Sequence, residues 1–277
     1  MASVAELRNI AKQVRRDLLQ TIYSAGGGHT GGSLSSVDIL VALFFHVMRY
    51  STQGGDPERD RFILSKGHSV EGYYAVLAEA GFFPPKELES YGTFNSRLFG
   101  HPTMKVPGVE VPTGALGHGL PVGVGMAIAG ARDRKDYRVF VLMGDGEQAE
   151  GSVWEAAMAA AHYRLGNLVA IIDHNRLQIS GDVDQVMTVS SLYDRWRSFG
   201  WNVEEVEGND MSSLVRCFDT YQRGGDREKP SLILAHTTKG KGVSFMENVA
   251  GWHHRVPTEE QLSLALSELD GQEETWG

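Results

Sequence analysis

A single cysteine, Cys217, cannot close an internal disulfide, so the fold does not depend on an oxidising compartment, and the residue reads as buried packing in a helix. Long apolar runs are also missing. The longest, Ile39 to Phe45, falls far short of the ~20 residues that a membrane-spanning helix needs. Near the N-terminus Glu6, Arg8, Lys12, Arg15, Arg16 and Asp17 interrupt every apolar stretch, which does not look like a signal peptide, and the cytoplasm is the expected location. Positive charge is in deficit, 26 Lys and Arg against 35 Asp and Glu, and a net charge of -9 argues against nucleic acid or an anionic membrane as partner. There are no repeats, low-complexity tracts or internal linkers. What is there, 277 residues of which 42% are hydrophobic, suffices to bury one large α/β core, so residues 1–277 are expected to form a single domain.

Periodicity places the elements. Leu7, Ile10, Ala11, Val14, Leu18, Leu19 and Ile22 recur at helical spacing, predicting a helix over Ala5 to Ala25 that stops at Gly26-Gly27-Gly28 and delivers His29 onto a flexible loop. A second helix is predicted from Ser36 to Tyr50, with Asp38 suited to its first turn. Arg61 to Leu64 reads as a strand followed by a helix through Ala80. Tyr91 to Gly117, rich in Gly, Pro and Thr, reads as a long ordered loop, and such loops in compact domains are usually functional. Small residues from Gly119 to Arg132 suggest a closely packed helix. Buried strands are predicted at Tyr137 to Met143 and Leu168 to Ile172, with a helix from Gly151 to Leu165 between them. Strands at Trp201 to Val206 and Ser231 to Ala235 flank a helix beginning near Asp210, and Thr258 with Gln261 opens the last helix as a capping box.

The chemistry concentrates where two of these strands end. Gly144-Asp145-Gly146 follows the first and Asp173-His174-Asn175-Arg176-Leu177 the second, at the strand ends where open α/β sheets place ligands. Glycines let the backbone approach phosphate oxygens, and the helix that follows adds a dipole. Magnesium takes about six oxygens, few of them from protein. Asp145, the Asn175 side chain and the Leu177 carbonyl, with two diphosphate oxygens and a water, would complete that shell. Gly-Asp-Gly alone would be an ordinary turn; both halves together point to a metal-bound diphosphate.

Six collinear segments carry a resemblance: Gly28-His29-Thr30-Gly31-Gly32-Ser33, Leu64-Ser65-Lys66-Gly67-His68, Phe99-Gly100-His101-Pro102, Pro112 to Gly119, the Asp145 and Asn175 pair, and Lys239-Gly240-Lys241-Gly242 followed by Trp252-His253. From about Leu7 to about Leu269 the chain resembles the N-terminal, diphosphate-binding half of transketolase. The resemblance implies the thiamine-diphosphate-binding fold, an α/β architecture with a mostly parallel sheet and helices on both faces. It also implies thiamine diphosphate with Mg²⁺ and transfer of a two-carbon ketol unit from a ketose to an aldose; with a net charge of -9, such substrates, if phosphorylated, must be held by local positive groups.

Site roles follow from the same likeness. His29, His68, His101 and His253 match histidines around the thiazolium and the substrate oxygens, a task that suits a group titrating near neutrality. Gly114 and Leu116 match a loop lining the aminopyrimidine, Gly144 and Gly146 the diphosphate turn, and Ile179 an apolar wall against the thiazolium. Glu150 matches a buried acid between two cofactors at a subunit interface. His46, His162, His174 and His236 lack motif context and read as structural. The chain departs from the pattern at His118, where glutamine is frequent, and at His254, where relatives tend to have glycine.

In the family a second domain supplies the glutamate that engages the cofactor's pyrimidine, together with most phosphate-gripping residues. This chain stops at Gly277, just after the first domain. The expected protein is therefore one subunit of a split transketolase, active only with a separate C-terminal, pyrimidine-binding subunit, in a heterotetramer. Another thiamine-dependent lyase or ligase, such as a deoxyxylulose-phosphate-synthase relative or a pathway-specific ketol transferase, is the alternative enzyme reading. His101-Pro102 and the Lys239 to His253 pattern speak against the synthase. A non-catalytic binding remnant is the third reading, and the intact Asp145, Asn175 and histidine set speaks against it.

Overall fold

The computed structural model describes residues 2–188, 191–224 and 228–271. In chain order, helices α1 (Val4–Ala25), α2 (Thr30–Ser35) and α3 (Val37–Ala42) precede strand β1 (Arg61–Leu64), and α4 (Val70–Glu79) and α5 (Gly119–Arg132) lead to β2 (Val139–Gly144). Helix α6 (Gly151–His162) joins β2 to β3 (Leu168–His174). A small antiparallel hairpin, β4 (Leu177–Gln178) and β5 (Gly181–Asp182), then runs into α7 (Val183–Met187) and α8 (Leu192–Ser198). Strand β6 (Asn202–Glu207), α9 (Met211–Gly224), β7 (Ser231–His236) and α10 (Glu259–Gly271) complete the order.

The five long strands form one parallel sheet in the order β1-β2-β3-β7-β6. A parallel sheet needs cover on both faces, and successive residues of a strand supply it alternately. Phe140, Leu142, Val169, Ile171, Ile233 and Ala235 point into one core with α1, α3, α4 and α9. Val139, Val141, Met143, Leu168, Ala170 and Ile172 point into the other, with α5, α6 and α8. Since β3 is followed by the outer strand β6 before the chain returns through β7, the strand order reverses beside β3. The crevice at such a reversal, at the carboxyl ends of the strands, is the ligand position of open sheets.

The predicted sheet strands and main helices are present within a few residues. Helix α1 has the Ser3 and Glu6 capping box at its start and left-handed Gly26 at its end, and Thr258 with Gln261 makes the reciprocal bonds that open α10. Cys217 is buried in α9. Three expectations change. The helix predicted over 36–50 is α3 followed by a wider π turn, Leu43–Val47, that ends as the backbone extends at Met48. Asp38 does more than face a helix dipole, because it is buried and ion-paired with Arg15 at 2.6 Å. His29 does not sit on a free loop: it caps α2, and its backbone N–H donates to the buried Glu71 carboxylate at 3.0 Å. No helix among the described residues is long and apolar enough to cross a membrane.

Candidate functional site

The residues that follow β1, β2, β3 and β7 surround a cavity of about 340 Å³. Its polar end holds the proposed metal ligands. Asp145, 3% exposed, accepts the Gly146 N–H at 2.7 Å and the Arg176 N–H. Arg176 reaches it because the chain turns sharply there, at φ 65°. Asn175 accepts the Leu177 N–H at 3.1 Å and donates to Asp173 at 3.2 Å, which fixes its amide oxygen toward the turn. The Leu177 carbonyl lines the same end and accepts from the Lys239 ammonium at 2.8 Å, so a cation already stands against one of the three oxygens.

Burial dominates the electrostatics of Asp145. Burial, then the nearby Asp173 charge, pushes the Asp145 carboxyl up to about 7, and hydrogen bonds from Arg176 and Gly146 offset only part of that. Lys239, 2% exposed, is drawn down to about 8 by burial and by Lys66, and its ammonium also meets His253 Nδ1 at 2.9 Å. A carboxylate, an amide oxygen and a backbone carbonyl form the small hard donor set that magnesium takes from protein, the rest coming from phosphate and water. No group of three or more His, Cys, Asp or Glu able to hold a metal occurs among the described residues. The residues fit a magnesium diphosphate.

The other wall gathers the histidines. The His29 ring lies 5.2 Å from His68, 5.7 Å from His253 and 6.4 Å from His101, and His68 stacks on His253 at 5.4 Å. Burial first, and neighbouring positive groups second, hold all three cavity histidines neutral: His29 falls to about 4, His68 to about 2 and His253 to about 3. His101 stands on the exposed rim, against Gly114, whose φ of +146° and the 2.8 Å that a Cβ would leave to His101 Cδ2 both require glycine. Gly114, Leu116, Gly144, Gly146 and Ile179 line the cavity as the resemblance implies, and Ile179 is 73% exposed there. Glu150 lies outside it, exposed at the start of α6. His118 is exposed and bonded to the Leu116 carbonyl, while His46 pairs with Asp219 and His174 packs on His236.

Three buried acids hold this arrangement together, and motif reading assigned none of them a role. Asp173, fully buried, pairs with Lys66 and accepts from Ser35 and Thr237. Burial would raise its carboxyl, but the Lys66 charge and hydrogen bond outweigh that and keep it below the ordinary range. Glu147 accepts from Ser65, from the Gly117 N–H at 2.8 Å and from the Gly144 N–H at 3.1 Å, tying the ends of β1 and β2 to the long loop. Glu71 accepts from the His29 N–H, from Ser33 at 2.8 Å and from Tyr91 at 2.8 Å. Burial raises both glutamates. For Asp173 and Glu71 the signal in the sequence is an acid beside or inside an apolar run, Ile171-Ile172-Asp173 and Val70-Glu71-Gly72-Tyr73, while Glu147 in its polar turn carries none.

The Lys66 and Asp173 pair gives a direct stability test. Lys66→Met or Asp173→Asn strands a partner in the interior and is expected to cost about 3–5 kcal/mol, whereas replacing both together should cost less. Urea unfolding of the three variants reads this, and single variants as stable as the parent would show the pair to be incidental.

Residues 7–269 match the family described as "Transketolase, thiamine diphosphate binding domain". The chain is a member of the transketolase family. It is 52% identical to an apulose-4-phosphate transketolase subunit from Phocaeicola vulgatus, over 92% of this chain and 90% of that one. It is 39% identical to a 6-deoxy-6-sulfo-D-fructose transketolase subunit from Clostridium sp., over 96% of each. Among solved structures, transketolase from Leishmania mexicana superposes with a TM-score of 0.87 at 30% identity, covering 98% of this chain but 42% of that one. The chain thus spans nearly all of the subunit-type relatives and about two fifths of the longer transketolase. Family members use thiamine diphosphate with a divalent metal such as Mg²⁺, which agrees with the donor set at Asp145.

Proposed function

We propose that this transketolase-family chain is the diphosphate-binding subunit of a two-subunit enzyme that moves a two-carbon ketol unit from a ketose donor to an aldose acceptor. Both substrates are read as sugar phosphates. The observation that carries the proposal is the convergence of Asp145, Asn175 and the Leu177 carbonyl with His29, His68 and His253 on one cavity at the strand ends. Relatives of matching length are named as transketolase subunits, so a separate pyrimidine-binding subunit is the expected partner, in a cytoplasmic heterotetramer.

In this reading Asp145, Asn175 and Leu177 hold Mg²⁺, and Gly144, Gly146, His68 and His253 seat the diphosphate. Leu116, Gly114 and Ile179 close on the rings. Thiamine diphosphate, when bound, supplies the carbon nucleophile that takes and releases the two-carbon unit. Neutral His29 can accept or donate a hydrogen bond as substrate hydroxyl and carbonyl exchange a proton, and His101 does the same from the rim. Glu150 is assigned to the contact with a neighbouring subunit.

A coupled assay of this chain mixed with a pyrimidine-binding subunit tests the function. Ketol transfer that requires both Mg²⁺ and thiamine diphosphate is expected, and no turnover of any ketose sinks the proposal. Within the active pair, His29→Ala or His101→Ala is expected to lower kcat by about 10² or more with little change in cofactor affinity. His68→Ala should affect both. Full activity in the His29 and His101 variants would remove them from the chemistry.

A further inference from the structure

We propose that His254 is a specificity-determining residue of this site, an imidazole at its outer rim that takes the terminal phosphate of a sugar substrate. The inference rests on the ketol-transfer reading. The pair His253-His254 divides its tasks. His253 turns inward to Lys239 at 2.9 Å and lines the cavity. His254 stays exposed, and its ring lies 4.6 Å from His29, nearer than His68, His253 or His101.

Its position is built into the fold. Thr30, the first residue of α2, donates its hydroxyl to the Arg255 carbonyl at 2.6 Å. Next to it Gly31 lets the Trp252 carbonyl come so close that a Cβ would stand 2.9 Å away. These two contacts clamp both sides of His253-His254 onto the turn that carries His29. A side chain at position 254 therefore projects beside His29, at a point where a glycine would leave the rim open.

The rim around it is short of negative charge. Among the described residues no carboxylate forms an ion pair with His29, His254 or Arg255, and Arg255 lies over the Trp252 ring at 4.8 Å. His254 and His101, both exposed, stand on the outer side of His29, while the buried Lys239 and Lys66 lie on its cavity side, and all four oppose a positive charge on it, so an anion at the outer rim would meet basic groups and no acid paired with them. The magnesium end, with Asp145 and Asn175, lies within the cavity that His29 lines and His254 does not, which separates this anion position from that of the cofactor diphosphate. A hydrogen bond from an imidazole to phosphate is the charge-assisted kind, stronger than one to a sugar hydroxyl.

The test compares the assembled, cofactor-loaded pair with its His254→Gly and His254→Gln variants, by calorimetric titration of glyceraldehyde 3-phosphate and of glyceraldehyde without donor. His254→Gly is expected to weaken binding of the phosphorylated aldose roughly tenfold or more, the weight of one hydrogen bond to a charged group. Glyceraldehyde should change less than about twofold, thiamine diphosphate affinity should hold, and His254→Gln, which retains a donor, should recover part of the loss. In steady state the effect should fall on KM for the phosphorylated acceptor rather than on kcat. Equal weakening of both aldoses, no change in either, or a parent enzyme with no preference for the phosphorylated one would overturn the proposal. Binding needs no turnover, so a pair that shows the His254-dependent affinity but transfers no ketol unit supports this inference and counts against the ketol-transfer reading alone.

Discussion

Asp145→Ala is expected to abolish Mg²⁺-dependent retention of thiamine diphosphate by the assembled enzyme, with Asn175→Ala close behind. Each substitution takes one of three protein oxygens from an ion that has few to begin with and leaves the diphosphate beside an unmatched charge. The loss should exceed about 100-fold in affinity, since even outer-shell partners of metal ligands are commonly worth 10–100-fold. Asp145→Asn sharpens the test, because it keeps the shape and one acceptor oxygen while removing the charge; the Gly146 and Arg176 N–H groups bond to different carboxylate oxygens, so one of the two bonds is lost. Burial and Asp173 already disfavour that charge, so its removal offsets part of the lost bond, and the metal-free Asn variant should be destabilised by no more than about 1–3 kcal/mol while failing to hold cofactor. Calorimetric titration and thermal unfolding of the same samples check both halves. Cofactor affinity unchanged in Asp145→Ala and Asn175→Ala would remove the metal site from these residues.

The strands were legible because their residues are apolar on both faces, and a parallel sheet covered by helices leaves no polar face to confuse the pattern. Asp145, Asn175 and Leu177 could be found for a related reason: ligands of such sheets gather where strands end, and an Asp between glycines is conspicuous there. What the sequence hid was pairing across distance. Asp173 and Lys66 are 107 positions apart, and although the apolar run before Asp173 marks the acid as buried, nothing local points to Lys66 as its partner. Glu147 binds three separate segments, and Glu71, 42 positions along the chain from His29, holds the backbone of that histidine in place. The helix predicted over 36–50 failed on geometry, because helical periodicity cannot register the one-residue widening of the π turn at Leu43–Val47. The hairpin β4–β5, whose two-residue strands carry Leu177 and lead to Ile179, is too short to show a period at all.

The largest effect of all is expected from the chain in isolation: the 277-residue protein alone should show no measurable ketol transfer, and mixing it with a pyrimidine-binding subunit should restore it. The residues collected at the strand ends would grip only one end of the cofactor. Asp145, Asn175 and Leu177 lie at the polar end of the cavity, where they would hold the metal, with His68 and His253 lining the same cavity, but the remaining wall is thin, formed by Gly114, Leu116 and a largely exposed Ile179. In the transketolase family the pyrimidine is engaged by a glutamate of the second domain, and without that contact the cofactor is neither oriented nor activated. Val122 on α5 and Met158 on α6, 40% and 53% exposed, likewise leave apolar surface of the kind that a stable partner covers. The free chain should accordingly bind thiamine diphosphate more weakly than the pair, and it should elute with the second subunit when both are present. Size-exclusion chromatography, cofactor titration and a coupled assay on the same preparations separate the possibilities. Turnover of a ketose by this chain alone, with partner contamination excluded by mass spectrometry, would overturn the two-subunit reading while leaving the metal site to be judged on its own variants.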